Sequence, residues 1–238
     1  MNRVNILGVG FDPMTPAQAV DAALSLAGSA RVVTPNPEIV MTAREDPELM
    51  EIINSSELVA ADGIGIIYAA KILKKTLPGR VTGIGLVGLI FERLAPIHGR
   101  VYLFGAKPGV AELAGENITK QYPGIEIVGC HDGYFSDDAD IIEDINRAKA
   151  DLLLVCLGSP KQERWMASRR GIVDVKLMMG LGGVLDVYAG TVKRAPVIFQ
   201  KLGLEWLYRV ICQPSRLKRT LKLPKFLFAA IRGRFSEK

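Results

Sequence analysis

The feature that most constrains the fold of this chain is a regular alternation of strand-like and helix-like segments between residues 100 and 183. The strand-like segments are continuous apolar runs, which are typical of strands buried on both faces, and a helix-like segment separates each from the next. This alternation predicts an α/β fold with a Rossmann-like parallel sheet covered by helices. The predicted strands cover 100–106, 125–133, 151–159 and 176–183, and the predicted helices 109–123, 137–150 and 160–171.

The first hundred residues follow the same pattern less regularly. Strands are predicted over 3–12, 31–38 and 57–62, and helices over 15–28, 63–75 and 82–97. The composition changes after Pro196, where a basic segment with helical periodicity begins. We therefore expect an α/β core over residues 1–194 and a helical C-terminal appendage over residues 195–238.

Charge is divided unevenly between these two parts. The net charge is +5, but the appendage holds ten Lys or Arg residues against two Glu, so it carries +8 and residues 1–194 carry −3. The appendage is also rich in Phe, Trp and Tyr, a combination suited to an anionic membrane surface. The alternative is a docked helical subdomain with a solvated basic face. Nucleic acid is a weaker interpretation, because the rest of the chain offers no recognition motif.

Cysteine usage and hydropathy limit where the protein can work. The three cysteines are far apart and form no C-x-x-C pair, so neither a disulfide framework nor a zinc site is indicated and a reducing cytoplasm fits best. No charge-free apolar run approaches the roughly 18 residues that a membrane-spanning helix requires. We expect a protein that neither crosses a membrane nor enters the secretory route.

Ligands of open parallel sheets bind beyond the carboxyl ends of the strands. The predicted strand ends are rich in glycine and are followed by helix N-termini, which favours a phosphorylated ligand of nucleotide size. Neither the dinucleotide fingerprint nor the P-loop is complete, so neither of these nucleotide-binding motifs is supported. Asp138 and Asp140 form a D-x-D pattern, but they open a predicted helix, and capping is favoured over metal binding. No metal and no other cofactor is expected.

Two short segments leave alternatives open. In 158–165, the helix N-terminus after Pro160 could hold phosphate or a sugar hydroxyl; alternatively, Lys161 and Glu163 are surface charges and Trp165 belongs to the core. In LVAADGIGI, residues 58–66, Asp62 is either a catalytic group or the cap of the helix that begins near Gly63.

Several motifs in fixed order resemble the WecG/TagA/CpsF family of bacterial glycosyltransferases, and most closely its TagA branch. They cover the chain from about Asn5 to Arg219 and read TPNPE, ADG, RVTG, FGAKPG, DGYF, LGSPKQE-W, GLGGVLDVYAGTVKRAP and GLEWLYR. The resemblance implies inverting transfer of N-acetylmannosamine from UDP-ManNAc to the 4-hydroxyl of undecaprenyl-diphosphate-linked GlcNAc, a step in the linkage unit of wall teichoic acid. The alternatives are a related UDP-hexosamine or uronic acid transferase for another surface polysaccharide, and a catalytically weak membrane-surface binding module.

The resemblance also assigns roles to residues. It implies that Asp62 is the general base and that Thr34 shares the catalytic site. Substrate contacts are implied for Asn36, Gly63, Thr82, Gly105, Gly133, Tyr134, Lys161, Gln162, Gly182, Gly183, Arg209, Arg216 and Arg219. Gly85 departs from the pattern, because the family usually has an acid at this position, and an altered sugar affinity would follow.

For the appendage, the resemblance implies a segment that rests on the inner face of the cell membrane and folds over the pocket. Arg209, Arg216 and Arg219 would bind the lipid diphosphate or the leaving UDP, since guanidinium groups donate paired hydrogen bonds. The side chains expected in the headgroup region are Phe226, Leu227, Phe228 and Ile231. The expected partners are UDP-ManNAc, the lipid-linked GlcNAc, an anionic membrane surface and further copies of the chain as a homo-oligomer.

Overall fold

A computed structural model describes residues 2–196, 198–199, 203–212 and 222–236. Its centre is a six-stranded sheet in the order β4-β3-β8-β7-β5-β6, in which every neighbouring pair is parallel. This confirms the predicted α/β fold. The strands are β3 (Ala30–Val33), β4 (Leu58–Val59), β5 (Arg100–Gly105), β6 (Glu126–His131), β7 (Leu152–Cys156) and β8 (Leu177–Gly180).

The N-terminal segment forms a separate hairpin. β1 (Val4–Ile6) pairs antiparallel with β2 (Val9–Phe11), so the single strand predicted over 3–12 was wrong. Leu7 and Gly8 have φ values of 54° and 99°, and positive φ at both central residues is what a two-residue hairpin turn requires.

Helices cover both faces of the sheet because side chains along each strand alternate between the faces. In β7, for example, Leu152 and Leu154 face one layer, whereas Leu153 and Val155 face the other. The first layer contains α1 (Pro16–Leu24), α5 (Gly83–Leu94), α6 (Val110–Gln121) and α9 (Val184–Tyr188). The second contains α2 (Pro37–Glu45), α3 (Pro47–Asn54), α4 (Ile64–Ile72), α7 (Ala139–Ala148), α8 (Lys161–Ser168) and α11 (Lys222–Ser236). The helix α10 (Glu205–Cys212) precedes α11 in the chain.

The start of α2 corrects the strand predicted over 31–38. The strand ends at Val33, and Asn36 caps α2 by accepting a hydrogen bond from Ile39 N at 3.0 Å. Pro37 follows as the first helical residue, where its missing N–H costs nothing. α3 begins in the same way at Asp46, which accepts from Leu49 N at 3.0 Å.

The C-terminal helix α11 packs on α2 and α4. Phe226 and Ala230 are completely buried in this contact, and Lys222 Nζ donates to Thr42 Oγ1 at 2.8 Å. The helices approach so closely that a Cβ on Gly65 would lie 2.8 Å from Leu223 Cδ1. The expectation that Phe226 enters a membrane was therefore wrong, because this side chain belongs to the core.

The opposite side of α11 faces solvent. Phe228, Ile231 and Phe235 are exposed there, and their spacing of three and four residues places them along one stripe. No helix within the described ranges is both long and apolar enough to span a membrane.

Candidate functional site

Asp62 and Thr34 meet at the start of α5, on the carboxyl edge of the sheet. Thr34 follows β3 and Asp62 lies shortly after β4, while Gly83 is the first residue of α5. Asp62 Oδ2 accepts a long hydrogen bond of 3.4 Å from Gly83 N, and a Cβ on Gly83 would lie 3.0 Å from Thr34 Oγ1. The hydroxyl and the carboxylate therefore border the same helix N-terminus, whose partial positive charge favours an anion.

Asp62 does not cap α4, so the capping interpretation of this residue was wrong. The N-cap of α4 is Gly63, and no side-chain hydrogen bond is made at this cap. Gly63 has a φ of 85°, in the region that favours glycine, and this conformation directs the chain into α4. The carboxylate of Asp62 is instead turned toward α5.

Asn36 and Thr82, both predicted to contact substrate, use their side-chain oxygens as helix caps. Asn36 Oδ1 caps α2, as described above, and Thr82 Oγ1 accepts from Gly85 N at 3.2 Å to cap α5. The cap engages Asn36 through Oδ1, so Nδ2 is not part of this hydrogen bond. Both residues thus combine a structural role with a place at the edge of the site.

Lys161 stabilises the loop that follows β6. Its Nζ donates to Gly133 O at 3.0 Å and lies 4.1 Å from the centroid of the Phe135 ring, a cation–π contact. Tyr134, in the same loop, is 67% exposed. An ammonium group has three donors, so Lys161 can brace this loop and still bind an anionic group of a ligand.

Gly105 has a structural explanation of its own. It ends β5 with a φ of 128°, and a Cβ there would lie 2.4 Å from the backbone of Cys156 in β7. The close approach of these two strands therefore requires glycine, independently of any ligand.

Gln162 connects α8 to the glycine loop that follows β8. Gln162 Oε1 accepts from Gly182 N at 2.8 Å, and Gln162 Nε2 donates to Glu163 Oε1 at 2.9 Å. Both side chains are buried, with 3% and 2% exposure. Burial raises the pKa of the Glu163 carboxyl above its usual value.

The sequence interpretation of Glu163 as a surface charge was wrong. The sequence signal was the spacing of Glu163 from Met166, which places these two residues on the same side of α8. In the structure Gln162, Glu163, Trp165 and Met166 are all buried. The core alternative for Trp165 is confirmed by its 6% exposure.

The Asp138 carboxylate binds two side chains of α8 rather than capping α7. It accepts from Trp165 Nε1 at 2.7 Å and from Arg169 Nε at 2.8 Å, and the hydrogen bonds from Arg169 lower the pKa of its carboxyl. Its side chain makes no cap bond, whereas Asp137 Oδ1 accepts from Ala139 N at 3.1 Å. Asp138 thus occupies the N-cap position of α7, with Asp140 in the first turn, as the capping interpretation predicted, but the Asp138 carboxylate itself serves α8. In the described ranges, no group of three or more His, Cys, Asp or Glu residues could hold a metal ion.

The appendage reaches the site region through α10. Glu205 Oε2 lies 3.2 Å from Arg80 Nη1, and both side chains are largely shielded from solvent. Arg80 comes two residues before Thr82; sequence reasoning did not select it, although it stands in the RVTG motif. Of the three predicted arginines, Arg209 lies in α10, while Arg216 and Arg219 fall outside the described residues.

Two clefts open between the helices of the described structure. One, of about 840 Å³, lies between α3, α8 and the loop before α7, and Lys161 lines it. The other, of about 430 Å³, is lined by Gly85, Tyr122, Tyr188 and Arg194. Gly85, where an acid was expected, thus lines a cleft with two tyrosines, but a Cβ at this position would lie only 2.7 Å from Thr82 Oγ1, the cap of α5.

Comparison with known proteins identifies relatives over nearly the whole chain. The Glycosyl transferase WecG/TagA/CpsF family matches residues 4–238. A protein of Staphylococcus aureus (strain MRSA252), named N-acetylglucosaminyldiphosphoundecaprenol N-acetyl-beta-D-mannosaminyltransferase, is 37% identical over 232 residues, which cover 95% of this chain and 91% of the relative. A Bacillus spizizenii protein of the same name is 34% identical over 203 residues, covering 85% of this chain and 79% of the relative. The chain therefore belongs to the WecG/TagA/CpsF family of glycosyl transferases.

Proposed function

We propose that this protein transfers N-acetylmannosamine from UDP-ManNAc to the 4-hydroxyl of undecaprenyl-diphosphate-linked GlcNAc, with inversion at the anomeric carbon. The names of the relatives support this acceptor and this sugar. The observation that carries the proposal is the meeting of Asp62 and Thr34 at the N-terminus of α5, beyond the carboxyl ends of β3 and β4. The product would be the lipid-linked disaccharide of a wall teichoic acid linkage unit.

In the proposed reaction, Asp62 acts as the general base. Its carboxylate takes the proton from the acceptor hydroxyl while the hydroxyl oxygen attacks the anomeric carbon. The bond between this carbon and the β-phosphate oxygen breaks, and UDP leaves with the electron pair. The Thr34 hydroxyl, next to the same helix start, would orient the sugar.

When UDP leaves, negative charge develops on its diphosphate, and positively charged side chains nearby would stabilise it. Lys161 lies at the carboxyl edge with its ammonium group beside Gly133. Arg209, Arg216 and Arg219 would add guanidinium groups, which form paired hydrogen bonds with phosphate. We propose that these cations neutralise the leaving group and that no bound metal is required.

A peripheral position on the inner face of the cell membrane suits the acceptor, which is a lipid. The stripe of Phe228, Ile231 and Phe235 on α11 would enter the headgroup region, and the exposed Lys225 and Arg232 would contact anionic lipids. The same stripe would mediate homo-oligomer formation in the absence of a membrane, because exposed apolar patches tend to be buried against a partner.

A donor comparison tests the proposed function. The protein is incubated with lipid-diphosphate GlcNAc and with UDP-ManNAc, UDP-GlcNAc or the uronic acid derivative of UDP-ManNAc, and released UDP and the lipid product are measured. We expect UDP release and a disaccharide lipid with UDP-ManNAc, and much slower turnover with UDP-GlcNAc. Preference for a uronic acid donor would favour the related transferase, and no release with any acetylated hexosamine donor would exclude the proposal.

A further inference from the structure

We propose that Glu163 is a positioning residue, whose buried carboxyl holds the Gln162 amide in the orientation that fixes the glycine loop of residues 180–183. The effect on turnover rests on the proposed function, whereas the effect on the loop does not. Nothing in the sequence comparison assigns a role to this acid.

The Gln162 amide makes one hydrogen bond at each of its two ends. Its oxygen accepts from Gly182 N at 2.8 Å, and its nitrogen donates to Glu163 Oε1 at 2.9 Å. An amide has an acceptor end and a donor end, so these two contacts agree on one orientation. A flipped amide would place its N–H groups against Gly182 N–H and its oxygen against the Glu163 carboxyl. Glu163 therefore selects the orientation that Gly182 needs.

Gly180 and Met166 also lie beside the amide, but neither offers a side-chain group that could select its orientation. Gly180 lies so close that a Cβ on it would be 3.0 Å from Gln162 Nε2 and 2.8 Å from Met166 Cε. Glycine and methionine present no strong side-chain donor or acceptor to the amide. Since Gln162 is 3% exposed, water cannot replace Glu163 without opening the site.

The role requires an acceptor oxygen and not a charge. Glu163 Oε2 is buried and makes no hydrogen bond of normal geometry among the described residues, and burial raises the pKa of this carboxyl although Gln162 and the nearby Ser159 hydroxyl act to lower it. Protonation at Oε2 would leave Oε1 free to accept from Gln162. A glutamine at position 163 supplies the same acceptor, whereas a methionine of similar size supplies none.

The loop matters because it connects β8 to α9 at the carboxyl edge. Leu181, in this loop, packs against Gly83, since a Cβ on Gly83 would lie 3.0 Å from Leu181 Cδ2. Gly83 is also the residue whose N–H approaches Asp62. Glu163 thus acts through Gln162 and Gly182 on the group of residues to which the reaction is assigned.

The test compares Glu163→Met with Glu163→Gln in the full-length protein. We expect Glu163→Met to raise the KM for UDP-ManNAc about tenfold, which corresponds to about 1.4 kcal/mol, with a smaller change in kcat. It should also speed hydrogen–deuterium exchange in the peptide that contains Gly182 while leaving exchange in β5 unchanged. Glu163→Gln should restore both properties to nearly wild-type values.

A double variant shows whether the two residues act as one unit. If Glu163 acts through the amide, Gln162→Met combined with Glu163→Met should be no worse than Gln162→Met alone. Wild-type KM and exchange in Glu163→Met would overturn the proposal, and so would a Glu163→Gln variant as defective as Glu163→Met. Exchange needs no transfer reaction, so an inactive wild-type protein would refute the proposed function and leave the positioning role open to the exchange measurement.

Discussion

At the scale of single residues, some polar groups of the carboxyl edge hold the local structure, whereas Asp62 is placed to accept a proton. Gln162, Lys161 and the cap oxygens of Asn36 and Thr82 hold loops and helices in place. Asp62 Oδ2 makes a long contact of 3.4 Å to the first amide of α5. A carboxylate held at the edge of the site, next to a helix N-terminus, is suited to receive a proton from a substrate hydroxyl.

Asp138 provides a pH-dependent prediction at this scale. Its contacts with Arg169 and Trp165 lower the pKa of its carboxyl, so the ionised form stabilises the folded state. This contribution is complete above the unfolded pKa of about 3.9 and is lost as the pH falls through the lower folded value. Asp138→Asn should reduce the free energy of unfolding by about 1.5–3 kcal/mol at pH 7, and by less below pH 4, in urea titrations.

Asp140→Asn is the matched control for this prediction. Asp140 is an exposed acid in the first turn of α7, and its loss should cost less than about 1 kcal/mol. An equal loss in both variants, or a loss in Asp138→Asn that stays constant down to pH 3, would contradict the assigned role.

At the scale of elements, apolar runs and helical periodicity were sufficient to predict the parallel sheet. They were not sufficient for α2 and α3, because the strand predicted over 31–38 ran through the cap Asn36 and the first helical residue Pro37, and no element was predicted over 39–56, where the cap Asp46 and Pro47 begin α3. Strand ends correctly indicated where Asp62 and Thr34 meet. Strand ends could not show whether Gln162 contacts a ligand or holds the glycine loop in place, because its hydrogen-bond partner Gly182 is 20 residues away in sequence.

Substitutions on the buried and exposed sides of α11 should change the free energy of unfolding by different amounts. Phe226 is fully buried, so Phe226→Ala should lower the free energy of unfolding by about 3–5 kcal/mol in urea. Phe228 is 68% exposed, so Phe228→Ala should change the free energy of unfolding by less than about 0.5 kcal/mol.

Vesicle sedimentation completes this comparison. Phe228→Ala should reduce the fraction bound to anionic vesicles, because a phenylalanine buried in the headgroup region contributes about 1.5–3 kcal/mol. Phe226→Ala should leave the binding of the folded protein unchanged. Reduced binding in Phe226→Ala together with unchanged binding in Phe228→Ala would contradict the orientation of α11 on the membrane.

At the scale of the whole molecule, the expected boundary between core and appendage is bridged by packing. α11 completes the helical layer formed by α2 and α4, and Arg80 and Glu205 connect α10 to the start of α5. Deletion of residues 196–238 would therefore uncover the surface of α2 and α4 on which α11 packs, including Gly65 and Leu73, as well as remove any membrane contact. Point substitutions on the exposed face of α11 are the cleaner test of membrane binding.

The central claim, that Asp62 is the base of a glycosyl transfer, is tested most directly by the turnover of Asp62→Asn. Asparagine keeps an acceptor for Gly83 N–H but cannot take the proton of the acceptor hydroxyl. Asp174→Asn is the control, because Asp174 is an exposed acid that precedes β8 at the amino edge and pairs with Lys149.

We expect Asp62→Asn to lower kcat for transfer from UDP-ManNAc by about 10²–10⁴-fold, with unchanged calorimetric affinity for UDP and unchanged unfolding. Asp174→Asn should retain wild-type turnover. Near-normal kcat in a folded, UDP-binding Asp62→Asn protein would contradict the assignment of Asp62 as the general base.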